Sequence, residues 1–358
     1  TGVLLRRFFP DSEAFVTLRS YTNYGGVEEF GGVNLLLAAP EFDAAERATR
    51  LRRLLEPFTI RRILAVPFAP VDFLHARLVH EFTGAPLCTY VMDDQTVVPG
   101  KVPDDVAEAL FAASALRLTI SPEMQAAYAA RFPFPFTVMP PIVTDAAARR
   151  TNQWSPAVRP AANAVLVGNV WSDGQLRQLA RFVAAAGLTV DWFGREAHPA
   201  LAKAGLRGQG FLPEAELADR LTTYPFVLVP SGMLDGTEDN EWLTRLSLPS
   251  RMVFLLQTQI PVLVLGSTAT AAGRFVERLG IGLVLPYAAR DARRGIRALG
   301  DLAGRRRFLA AAEQAAAAFV LPDAGGWIWR SLAAGRALAA PFDAVYAPVA
   351  VAAEAVPA

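Results

Sequence analysis

Through the first part of the chain, short apolar runs alternate with amphipathic stretches. NLLLAAP (34–40) gives way to AAERATRLRRLLEPF (44–58), then RRILAVPF (61–68), a histidine-bearing amphipathic segment and APLCTYVMDD (85–94). Continuous apolar runs suit strands buried on both faces, and the periodic stretches suit the helices that cover them. The alternation therefore predicts a βαβ succession and a parallel sheet. PDDVAEALFAAS (103–114), LRLTIS (116–121), PEMQAAYAARF (122–132) and FTVMPP (136–141) continue it as helix, strand, helix and strand.

The apolar period is lost over TDAAARRTNQWSPAVRPAA (144–162), where polar and proline residues read as a linker. The pattern then restarts. Strands are expected at NAVLVGNV (163–170), TVDWFG (189–194), LRGQGFL (206–212), FVLVPS (226–231), PVLVLG (261–266) and GLVLP (282–286), with helices between them. From Ala288 onward the strands stop and alanine-rich helices follow. The fold class is thus α/β: two doubly wound, Rossmann-like domains, 1–150 and 151–320, with a cleft between them. The segment 321–358 is expected to return to the first domain, because Trp327 and Trp329 need apolar cover that their own neighbourhood lacks.

Composition narrows the function. A chain of 358 residues exceeds the ~250–300 at which one core stops growing, which fits two domains. With 35 Lys+Arg against 34 Asp+Glu the formal net charge is +1, so no global field draws in nucleic acid, and any anion site must be local. The sole cysteine, Cys88, excludes a disulfide framework and suits a reducing, cytoplasmic setting. The charge-free run from Met252 to Gly273 is broken by Gln257, Gln259, Pro261 and Gly266 and reads as helix then strand, not as a membrane span.

In doubly wound domains, ligands bind beyond the carboxyl ends of the strands. The loops of interest are therefore Gly168–Gly174, Phe193–Pro199 and Pro230–Arg251. A helix starting near Pro249 or Ser250 would offer bare N–H groups to an anion, and Arg251 would add a donor fork suited to a diphosphate. Alternatively, Ser250 is an N-cap and Arg251 a solvated residue of the first turn. Gly25 and Gly26, in GGVEEFGG (25–32), form either a glycine-rich loop that lets a substrate or a phosphate approach the backbone or an ordinary irregular loop. Asp93 and Asp94 follow a buried strand and are candidates for a general base that deprotonates a hydroxyl; the alternative is a capping or loop role. His75 and His80 lie five apart, a poor match to one helix face, so no metal site is expected. No nucleophile elbow is present.

The second half resembles the donor domain of GT-B glycosyltransferases, particularly the family-4-type group. The resemblance rests on VLVGN (165–169), DWFG (191–194), GQGFLPEAELADRL (208–221), Pro230-Ser231, Pro249-Ser250-Arg251 and Pro261-Val262, and spans about 163–287. It implies transfer of a sugar from a nucleotide-sugar donor to a glycan or lipid-linked acceptor in bacterial surface polysaccharide synthesis. No cofactor and no obligatory metal are implied. Peripheral association with the inner face of the plasma membrane would follow from a lipid-linked acceptor. The donor residues it implies are Gly168, Asn169, Phe193, Gly194, Phe211, Ser231, Gly232, Glu241, Arg245, Ser250 and Arg251. The Glu-x7-Glu pair of that family is missing, since Leu246 and Phe254 stand at its two positions. Glu238, Asp239 or Glu241 are the substitutes that the acidic loop offers, with Glu238 taken as the catalytic one. A degenerate GT-B binding domain and a nucleotide-sugar epimerase are the competing readings.

Overall fold

The computed structural model describes residues 2–20, 30–38, 43–144, 150–154, 164–196, 198–236 and 241–346. Two parallel sheets dominate. In the first half β3 (Ile63–Ala65), β4 (Leu87–Val91), β5 (Leu116–Thr119) and β6 (Thr137–Val138) lie in that order. They are covered by helices that include α3 (Pro70–Thr83), α4 (Asp104–Ala113) and α5 (Pro122–Arg131). Every residue of β4 is buried, as a strand covered on both faces requires.

One difference from the expected single sheet concerns the chain's first strands. β1 (Val16–Arg19) and β2 (Val33–Leu36) pair with each other in parallel and form a separate two-stranded sheet. Neither has a buried residue, so the apolar drive that sets a central strand is weak here. Leu18 and Leu35 pack instead into a satellite core with Leu51 and Leu55 of α2 (Ala44–Leu55) and Leu78 and Val79 of α3.

The second sheet has six parallel strands in the order β12-β11-β10-β7-β8-β9. These are β7 (Ala164–Val167), β8 (Val190–Phe193), β9 (Leu206–Gly208), β10 (Val227–Pro230), β11 (Val262–Leu265) and β12 (Gly282–Leu285). The chain runs β7 to β9 in one direction, then β10 returns to the other side of β7 and the order reverses. The topological switch point therefore falls between β7 and β10.

Between these strands run α6 (Asp173–Ala186), α7 (Pro199–Lys203), α8 (Glu214–Leu221), α9 (Trp242–Leu246), α10 (Arg251–Leu256) and α11 (Ala271–Leu279). They are followed by α12 (Ala289–Gly300), α13 (Leu302–Ala318), α14 (Ala324–Ala333) and α15 (Asp343–Tyr346). No helix among the described residues is long and apolar enough to cross a membrane. α14 packs on α1 (Gly2–Phe8), and Trp329 lies with its ring 5.1 Å from Phe9 and 6.1 Å from Phe15. Gly325 sits so close to Phe8 and Phe9 that a Cβ there would fall 2.5 Å from the Phe8 carbonyl oxygen.

Polar contacts join the two halves. The Asp94 N–H donates to Ser247 Oγ at 3.0 Å, and the Ser121 hydroxyl donates to the Leu246 carbonyl. Lys101 lies 4.1 Å over the ring of Trp242. Arg278 pairs with Glu123 at 3.1 Å and Arg7 with Glu214 at 2.7 Å.

Candidate functional site

Across the carboxyl edge of β7, β8 and β9, three glycines stand side by side with positive φ: Gly168 (83°), Gly194 (99°) and Gly210 (70°). Residues with a Cβ adopt this region at a cost, which is why glycine fits each turn. The three are also tied to one another. The Gly194 N–H donates to the Gly210 carbonyl at 2.7 Å, and the Gly210 N–H donates to the Arg195 carbonyl at 2.9 Å. A Cβ on Gly194 would lie 3.3 Å from the Gly168 Cα. The result is a floor of bare backbone at the strand ends. Gly168 and Gly194 were expected here; Gly210, two residues past the end of β9, was not singled out.

Two exposed aromatics flank this floor. Trp171, in the loop entering α6, is 53% exposed, and Phe211, directly after Gly210, is 75% exposed. Phe193 does not reach the cleft, because its ring is buried against Tyr224. Only its carbonyl faces the site, where it accepts from the Gly168 N–H at 2.9 Å.

Arg251 has a different place from the one expected. Its Nη1 donates to the carbonyls of Val167 and Asn169, each at 3.0 Å, and Nη2 donates to Pro230 at 3.3 Å. The guanidinium thus clamps the ends of β7 and β10 at the switch point and packs beneath Gly168, where a Cβ would sit 3.1 Å from Nη1. Burial pushes its pKa down to about 10. The expected head in the open cleft is therefore corrected: much of the donor capacity is taken by backbone, and the residue positions the floor. The helix it opens spans only six residues, and Ser250, with helical φ and ψ, makes no side-chain cap. Neither the capping role nor a strong anion-binding helix end is present.

The loop after β10 is held from several sides. Ser231 is buried, and its carbonyl accepts from the Tyr287 hydroxyl at 3.0 Å. Gly232 packs on Thr244, leaving no room for a Cβ. Glu241 accepts from the Gly236 N–H at 2.8 Å and lies 3.9 Å from Arg245, whose side chain is exposed. Glu238 and Asp239 lie outside the described residues, as do Gly25 and Gly26. At the positions of the missing glutamate pair, Leu246 is half-buried, and Phe254 is buried with Arg7 above its ring.

The two aspartates after β4 separate cleanly. Asp94 is fully buried and organises its own loop: it accepts from the N–H groups of Thr96, Val97 and Val98 and from the Tyr128 hydroxyl, at 2.8–3.0 Å. That is a structural loop aspartate, and the base role is withdrawn for it. Asp93 is half-buried beside Ser247 of the other half, and burial holds its carboxyl above the usual carboxylate range. Ser247 had no signal in the sequence, because its partner lies in the other half of the chain. His75 and His80 point to different partners, Ser20 with Arg47 and the Ala85 carbonyl respectively.

No family model matches the chain, and no curated relative does either. Solved structures do. The sucrose-phosphate synthase of Thermosynechococcus elongatus is similar at a TM-score of 0.66 and 14% identity, covering 93% of each chain. Anabaena HepE, determined with UDP, gives 0.59 at 13% identity over 84% of this chain and 86% of that one. WaaG, a glycosyltransferase involved in lipopolysaccharide biosynthesis, gives 0.52 at 11% identity over 89% and 87%. At these identities the likeness speaks for the fold: the chain has the two Rossmann-like domains of the GT-B glycosyltransferase fold.

Proposed function

We propose that the protein is a glycosyltransferase that moves a sugar from a nucleotide-sugar donor to a hydroxyl of a glycan or lipid-linked acceptor, in surface polysaccharide synthesis. Two observations carry this reading: a run of bare glycine backbone along the carboxyl edge of the second sheet, starting at the switch point with Gly168, and a half-buried carboxyl, Asp93, where the two halves meet at Ser247. The floor and Phe211 receive the nucleotide. Arg245, with an exposed side chain, is assigned to the diphosphate, since Arg251 is engaged beneath Gly168. Asp93 takes the proton of the acceptor hydroxyl as its oxygen bonds the anomeric carbon and the bond to the diphosphate breaks. A carboxyl with a raised pKa is a stronger base for that step. HepE and the pneumococcal O-GlcNAc transferase GtfA, both crystallised with UDP, support a nucleotide partner for this fold. The family-4-type likeness supports the donor assignment to the second half.

The test is hydrolysis and transfer measured with a panel of UDP-, GDP- and dTDP-sugars. One donor is expected to turn over, and Asp93→Asn should lower that turnover by about a hundredfold or more. Binding of a nucleoside diphosphate with no turnover of any donor would favour the degenerate binding domain. That outcome has a specific observation behind it, namely apolar, packed side chains at Leu246 and Phe254.

A further inference from the structure

Beside the floor, one carboxylate stands without a partner among the described residues. Glu196 follows the bridge between Arg195 and Gly210, and its two oxygens lie 3.4 and 3.7 Å from the position a Cβ of Gly210 would take. Among the described residues it forms neither a hydrogen bond nor an ion pair. The next residue, Phe211, is 75% exposed and has no aromatic or cationic partner among the described residues. An apolar ring open to solvent and an unneutralised acid therefore adjoin the same bare glycine, at the end of the floor where β9 closes the sheet.

From this juxtaposition we infer that the site selects a guanine nucleotide, with Phe211 stacking on the base and Glu196 reading its Watson–Crick edge. The inference rests on the donor reading above and names its base. A carboxylate only accepts hydrogen bonds and has two oxygens to satisfy. Guanine alone among the common bases presents two adjacent donors, N1–H and the N2 amino group, so it takes both oxygens in a charge-assisted bidentate pair. Uracil and thymine offer one N–H between two carbonyls, whose lone pairs face the second oxygen repulsively. Adenine and cytosine offer one amino group beside a ring-nitrogen acceptor. Stacking on the phenyl ring adds affinity for any base and discriminates little.

Calorimetric titration of the full chain with GDP, UDP, dTDP and ADP tests this, alongside Glu196→Gln and Phe211→Ala, with a melting curve for each variant. GDP is expected to bind at least tenfold more tightly than the others. Glu196→Gln should weaken GDP by about ten- to a hundredfold while leaving UDP unchanged or tighter, since the repulsion goes with the charge. Phe211→Ala should weaken all of them. A loss of affinity equal for every base would mean that Glu196 is merely structural and overturns the inference. UDP or dTDP binding as tightly as GDP also overturns it, with the donor reading intact. If none of the four binds, the donor reading falls and the inference with it.

Discussion

Two neighbouring aspartates with opposite fates show how much a residue's role depends on what folds over it. Asp94 satisfies three backbone N–H groups and the Tyr128 hydroxyl. Asp94→Asn places an amide N–H₂ against some of these donors, and should cost about 3 kcal/mol, read as a lower melting temperature. Asp93→Asn should leave stability nearly unchanged and act on chemistry. As a base Asp93 must be ionised, so the acid limb of kcat/KM should rise through a midpoint above the ordinary carboxylate value near 4. The Asn variant should lose that limb and about a hundredfold or more in rate; an unshifted limb in the variant would end the assignment. The sequence displays the pair but not the division of labour, because Tyr128 and Ser247 reach it from distant segments.

His75 is a further case in which burial sets the outcome. Arg47 can only donate, so the His75 Nε2 facing Arg47 Nη1 at 3.4 Å accepts, and Nδ1–H donates to Ser20 Oγ at 3.0 Å. The ring is held neutral: burial, then the charge of Arg47, lowers its pKa from 6.5 to about 4, against a weaker opposing pull from Asp72. The unfolded chain takes up a proton below pH 6.5 and the folded one does not. Stability is therefore full above 6.5 and lost as pH falls towards 4, by at most about 3 kcal/mol. Urea titrations across this range should show that slope, and His75→Gln should flatten it.

At the scale of elements, apolar patterning made the strands legible, since β7, β10 and β11 are continuous apolar runs buried on both faces. The same patterning misled at α10. A greasy run after Pro-Ser-Arg looks like a helix with a functional mouth, yet only six residues are helical and Arg251 turns back to the strand ends. Nothing in the local sequence reports that β7 and β10 become neighbours, which is a property of the sheet order. Arg251→Ala leaves three carbonyls without that donor and should cost about 3 kcal/mol of stability; Arg251→Lys restores little, because one ammonium cannot reproduce the fork. The glycine floor makes a separate prediction. Gly194→Ala forces a side chain into positive φ and against Gly168, so it should lower stability by about 1–2 kcal/mol and weaken nucleoside diphosphate binding in titration. Preserved affinity would show that the ligand does not use this backbone.

At the scale of the whole molecule, the core is continuous across the two sheets, and the last helices are part of the reason. α14 brings Ile328 and Leu332 into the same core as Leu4, Leu5 and Phe8 of α1, while Trp329 lies over Phe9 and Phe15 with Arg62 against its ring. Tryptophans in a segment without a sheet of its own were visible in the sequence; which surface covers them was set by α1, a helix too short to stand alone. Trp329→Ala should therefore destabilise the chain by about 3 kcal/mol, through lost apolar area and an incompletely filled site. If the ring acts by contact with the first domain, Phe9→Ala and Trp329→Ala should couple: their double variant should lose less than the sum of the two by about 0.5–1.5 kcal/mol, the usual excess for an aromatic pair. Additive losses would mean that each ring serves its own surroundings and that α14 does not join the halves through this pair. Nucleotide affinity supplies the control, because the floor lies on the other sheet and should bind unchanged in every variant that remains folded.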